Sequence, residues 1–435
     1  MEMIVKRSVL AAVLLLLVSC GRASDSPVSK LPPTSVSQIG DTAVPEIQPS
    51  AVIQENTEAP ASPTAELIPT ETPAGRGPVR GIILFIGDGM GVNQRLGGQW
   101  LAYGQEGQSA MDMMPVHGMA STSAADRVIT DSAAAATALA AGVKTNYRAV
   151  GLDADYNRVP SILEQAKVQG WSVGLVTTVP LAHATPAGFA AHVDDRSKMN
   201  EIARQMIEAG VDVMLGGGED DFLPKDRQGC HPNYGHQDEG VNPLAAALDN
   251  GWFLVCTQAE LTGLDVTTTD KVIGFFGDDE IIPPFSPSLA EMTRVAIEIL
   301  SRNPQGFFLM VEGGQIDWAG HDNDGLQIMK NTIGLDVAVT EAQLFAVREP
   351  NTLIIVTADH ETGGMTLNLD GNGTFRQDGP FTMPDGTQFW VDWEGSGHTP
   401  ADVQVTAQGP YSELFSGSYQ NTFIYQVMYL AMMGE

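Results

Sequence analysis

The chain has 435 residues, 43% of them hydrophobic, enough apolar material for one large core or two ordinary ones. Lys and Arg number 23 against 53 Asp and Glu, a formal net charge of -30. That balance offers no basic face to neutralise phosphates, so it argues against a nucleic-acid binder and requires any anionic substrate to be attracted locally.

The first twenty residues, MEMIVKRSVLAAVLLLLVSC, set Lys6 and Arg7 before a short apolar run. This is the layout of a secretory signal and is too short to span a bilayer. Leu17, Val18, Ser19 and Cys20 close the run and resemble the bacterial lipobox, which implies cleavage before Cys20 and lipidation of its thiol. A plain signal with a chance cysteine is the alternative. The expected location is outside the cytoplasm, lipid-anchored at the bacterial cell membrane and facing the periplasm or exterior, with several acyl chains giving stable attachment. Residues 21–78 are rich in Pro, Ser, Thr, Ala and Glu and cannot bury enough apolar surface to fold, so they read as a disordered tether. Cys230 and Cys256 could pair in an oxidising compartment, but the sequence does not show that they approach each other.

The folded part spans residues 79–435 and begins with the apolar strand GIILFIG at 81–87. Residues 128–142, VITDSAAAATALAAG, follow as a helix with two readings: Asp131 or Ser132 simply caps it, or Ser132 is a nucleophile at a helix N-terminus that favours a bound anion. The helical period of SILEQAKVQG precedes the strand WSVGLVTT at 171–178, and SKMNEIARQMIEAG precedes VDVML at 211–215. Residues 216–290 are less regular, a candidate insertion with WFLVCT and KVIGFF as strands. FFLMVEG at 307–313 and TLIIVTA at 352–358 complete the series, and no internal repeat is visible. Runs apolar on both faces and separated by helices predict an α/β fold, a three-layer α/β/α sandwich around a mostly parallel sheet.

In such sheets ligands sit beyond the carboxyl ends of the strands. Asp88 follows the first run, His183 and Thr185 follow GLVTT, Glu312 ends FFLMVE, and Asp359 and His360 follow LIIVTA. Asp317 and His321 in EGGQIDWAGHDND stand four apart, on one face of a helix. With His398 in GSGHTPAD they supply three histidines and several carboxylates, ligand types that zinc accepts, whereas Asp88, Thr185 and Glu312 offer only oxygen and suit magnesium.

FIGDGMG, TDSAAAATALAAGVKT, HATP, VEGGQID with its following histidine, TADH and the late GHT resemble, in this order, the alkaline phosphatase family from about Arg80 to the C-terminus. The resemblance implies the three-layer fold of that family and hydrolysis of phosphate monoesters through a phosphoserine on Ser132, with Arg196 in HVDDRS clamping the phosphate. It implies two zinc ions, one on Asp317, His321 and His398 and one on Asp359 and His360. Asp88 then bridges the second zinc to a magnesium held by Thr185 and Glu312. His183 and Trp318 depart from the best-known bacterial form, which carries an aspartate and a lysine there, and a histidine beside the third ion adds a nitrogen ligand and removes a charge. The resemblance also implies phosphate scavenging and a homodimer. A phosphodiesterase or another sister metallohydrolase, and a surface lipoprotein that binds metal or phosphate without turnover, are the rival readings. His117, His192, His231 and His236 are expected to be structural.

Overall fold

The structure, a computed structural model, describes residues 77–369 and 376–434. The signal, Cys20 and nearly all of the tether lie outside them, and no helix among the described residues is long and apolar enough to cross a membrane.

Ten strands form the main sheet: β1 (Gly81–Gly87), β2 (Val116–Ser121), β3 (Ser172–Pro180), β4 (Val213–Gly217), β5 (Phe253–Val255), β6 (Val272–Phe275), β7 (Phe307–Gly313), β8 (Thr352–Ala358), β9 (Val403–Gln408) and β10 (Gly417–Gln420). Their order is β10-β2-β9-β8-β1-β7-β3-β4-β6-β5. Seven neighbours from β8 to β5 pair in parallel, while β9 runs antiparallel to both β8 and β2. The expected strands are all present, and 216–290 adds β5 and β6 to the sheet's edge.

The apolar runs that mark β1, β7 and β8 are buried along their full length because helices cover both faces. The helices Val92–Tyr103, Leu289–Leu300 and Gly325–Arg348 pack together in one layer. Ser132–Ala141, Ile162–Val168, Ala184–Ala190 and Thr422–Met433 pack in the other.

Register carries the strand ends to one line. Ile86 lies opposite Glu312 and Gly87 opposite Ala358, while Thr177 on β3 also lies opposite Glu312. Asp88, Glu312 and Asp359 therefore emerge side by side at the carboxyl edge.

The helix Ser132–Ala141 is buried all round, which its alanines permit. Asp131 caps it, accepting from Ala134 N at 3.2 Å, and Gly142 ends it at φ 69°, a left-handed conformation that suits glycine. Its neighbours come very close: a Cβ on Gly188 would lie 2.8 Å from Ala136 Cβ, and one on Gly142 2.4 Å from the Tyr425 ring. Small residues thus set the spacing between the helix that carries Ser132 and the helix that carries Thr185.

Cys230 and Cys256 form a disulfide with Cα atoms 6.0 Å apart, which resolves their pairing. His192 bonds Gly151 O and Glu164, and His231 bonds Phe275 O.

Candidate active site

Ser132 opens its helix with the side chain buried at the carboxyl edge of the sheet. Its Oγ lies 3.3 Å from His360 Nε2 and accepts from Arg196 Nη1 at 3.4 Å. The same Nη1 donates to Asp131 Oδ2 at 3.1 Å, and Arg196 Nη2 lies 3.0 Å from His183 Nε2. Serine, arginine and helix N-terminus therefore converge where a tetrahedral anion would be held by the helix dipole and a guanidinium fork.

Two histidines and one aspartate form the outer part of the site. Asp317 Oδ2 is 3.3 Å from His321 Nε2, and Asp317 Oδ1 is 3.5 Å from His398 Nε2. His321 Nδ1 is bonded to Ser396 O at 2.6 Å and His398 Nδ1 to Thr130 O at 2.9 Å. Those carbonyls accept hydrogen bonds from the two Nδ1–H groups, so both Nε2 atoms, 3.2 Å apart, turn to a common point. The two-residue ladder that pairs His398 with Thr362 and Thr399 with Glu361 brings His398 here from far along the chain.

Deeper in, Asp359 Oδ1 accepts from Gly89 N and His360 N, while its Oδ2 lies 3.2 Å from His360 Nε2. Asp88 Oδ1 is 3.5 Å from the same nitrogen. Ligand atoms of Asp88, His183 and Glu312 lie within 4.8 Å of one another, and the Thr185 hydroxyl faces Glu312. Trp318 meets the His183 ring edge-on, with centroids 5.9 Å apart. All the residues singled out from the sequence for this site are thus brought together, Cys20 alone lying outside the described residues.

The electrostatics of this cluster suit cations. Both oxygens of Asp88, Asp359 Oδ2, Glu312 Oε1, Thr185 Oγ1 and His183 Nδ1 are buried without hydrogen-bond partners. An unpaired buried carboxylate costs several kcal/mol, roughly, unless a cation meets it. Burial pushes Asp88 well above the usual carboxylate range, and Asp359, Asp317 and Glu312 add to the rise. Burial likewise pushes Glu312 up to about 7 and Asp359 up to about 6. Asp317 departs the other way: burial opposes its ionisation, but hydrogen bonds from His321 and His398 hold it well below that range. His183 and His360 are pushed down to about 3 by burial, which keeps their ring nitrogens neutral and available as ligands.

Two further residues shape the site that sequence reading did not single out. Thr362 Oγ1 donates to Asp317 Oδ1 at 2.5 Å, and Thr177 Oγ1 donates to Glu312 Oε2 at 2.5 Å. Strand register sets Thr177 against Glu312, whereas nothing local marks Thr362.

The alkaline phosphatase family model matches residues 79–381. Alkaline phosphatase 3 of Bacillus subtilis (strain 168) is 31% identical over 434 residues, covering 81% of this chain and 89% of its own length. Alkaline phosphatase 4 of the same bacterium is 41% identical over 257 residues, 57% of this chain and 52% of its own. The alkaline phosphatase of the Antarctic bacterium TAB5 superimposes with a TM-score of 0.71 at 31% identity, over 83% of this chain and 100% of that one. A mutant of that enzyme has Mg bound in its M3 site. A match over most of the chain, a relative aligned over most of its own length and the shared fold make this chain a member of the alkaline phosphatase family, and a phosphatase.

Proposed function

We propose that the chain hydrolyses phosphate monoesters by a double displacement on Ser132. Arg196 binds two nonbridging oxygens of the ester and sets its phosphorus in front of Ser132 Oγ. A bond forms from Oγ to phosphorus as the bond to the alcohol oxygen breaks, and the alcohol leaves. Water then attacks the phosphoserine from the opposite side, releasing inorganic phosphate and restoring the serine. The observation that carries this reading is the approach of Arg196 Nη1 and His360 Nε2 to a buried serine at a helix N-terminus.

The donor sets fit three ions. Asp317, His321 and His398 would suit one zinc, Asp359 and His360 with Asp88 a second, and Asp88, Glu312 and Thr185 a magnesium beside His183. When bound, such ions lower the serine hydroxyl's pKa and neutralise charge on the leaving oxygen. His183 adds a nitrogen where magnesium prefers oxygen, and Trp318 packs against it. The Cys230–Cys256 disulfide supports export to an oxidising compartment, whereas lipidation at Cys20 and a scavenging role rest on the sequence resemblance alone.

Hydrolysis of p-nitrophenyl phosphate and of its bis-ester tests the reading, before and after chelation and replacement of zinc and magnesium. Monoester turnover restored by the metals is expected. Preference for the bis-ester would overturn it.

A further inference from the structure

Arg148 lies outside the ligand set and outside the phosphate clamp, yet three of its groups hold the clamp together. Its backbone N–H donates to Asp131 Oδ1 at 3.0 Å, on the carboxylate whose other oxygen accepts from Arg196 Nη1. Its carbonyl accepts from Arg196 N at 2.9 Å. Its guanidinium forks onto Asp195, Nε to Oδ2 at 2.9 Å and Nη2 to Oδ1 at 2.7 Å. Asp195 Oδ1 is fixed from the far side by Ser197 N and Ser197 Oγ. A closed ring therefore runs from Arg148 through Asp131 and the Arg196 side chain to the Arg196 backbone and back.

The backbone conformation sharpens the point. Arg148 has φ 71°, in the left-handed region where glycine is the undemanding residue. An arginine there accepts strain, and what it gains over glycine is the fork on Asp195. That pair is not a stability device: the side chains are 43% and 37% exposed, and exposed ion pairs contribute little. What it does fix is the direction from which residues 195 and 196 leave the chain.

Resting on the phosphomonoesterase reading above, we propose that Arg148, through its bidentate grip on Asp195, is a positioning residue that holds the Arg196 guanidinium in register with Ser132. It acts on phosphate only through Arg196.

The test uses the full-length metal-loaded enzyme, with inorganic phosphate as the probe by calorimetry, KM and kcat on p-nitrophenyl phosphate, and melting temperature. Arg148→Gly relieves the backbone strain and removes the fork. It should weaken phosphate binding and lower kcat/KM about tenfold, less than the ~100-fold of a full 1 Å misplacement. The melting temperature should stay within about 2 °C of the parent. Arg148→Lys should fail equally, because an ammonium cannot fork. In an Arg196→Ala background Arg148→Gly should add nothing further. Full phosphate affinity in Arg148→Lys, or an undiminished loss in the Arg196→Ala background, would overturn the proposal. If Arg196→Ala itself leaves phosphate binding intact, the site reading falls and takes this inference with it. If Arg196→Ala weakens binding while Arg148→Gly does not, this inference alone is wrong.

Discussion

Single side chains here are held in place by specific partners. His321 and His398 surrender Nδ1 to backbone carbonyls and keep Nε2 for the site, while Asp131 divides its oxygens between a helix cap and Arg196. A different buried partner shapes behaviour at high pH. Burial and a 2.9 Å hydrogen bond to Asp336 push the Tyr103 hydroxyl up to about 12, from 10.0. A raised folded-state value stabilises the protein fully below the unfolded value and is lost as pH rises through the folded one. Thermal stability should therefore fall between pH 10 and pH 12, and more gently in Tyr103→Phe. Equal slopes in a melting-temperature series would contradict this. Tyr103 is 42% exposed, so the difference should be small. Much of the site was legible at this scale, since acids and histidines at strand ends have few other reasons to be there. Thr362 and Arg148 were not, because one acts across a long-range ladder and the other largely through its backbone.

Elements place these residues with little tolerance. Ser132 and Thr185 ride on two helices whose separation is set by Ala136 and Gly188. Ala136→Leu should cost about 1–3 kcal/mol of stability by overpacking, and activity should fall with it as the helices part. Unchanged denaturant midpoint and activity would show that the spacing is slack. The strands at 81–87, 307–313 and 352–358 were readable because burial on both faces leaves an unbroken apolar run. The strand Val116–Ser121 was not, since Gly118 interrupts it and only alternate residues are buried. The Glu361–Thr362 ladder with His398–Thr399 is two residues long, too short for any pattern, yet it delivers His398.

At the scale of the whole molecule, an acidic chain crowds Asp88, Glu312, Asp317 and Asp359 into one buried cluster, with Arg196 beside it on Asp131, Ser132 and His183. The two zinc ions and the magnesium proposed above would reverse that charge, which would couple folding to metal binding. Chelation should lower the melting temperature along with activity, by about 2.7 kcal/mol of lost stabilisation for each ion originally present at a hundred times its Kd. A melting temperature unmoved by EDTA would mean that the cluster is content without cations. Everything proposed for the site turns on Ser132 Oγ as the nucleophile, and the measurement that tests it most directly is the kcat of metal-loaded Ser132→Ala on p-nitrophenyl phosphate. A loss of at least about a thousandfold, with the melting temperature kept, is the predicted result; turnover near that of the parent would contradict the account.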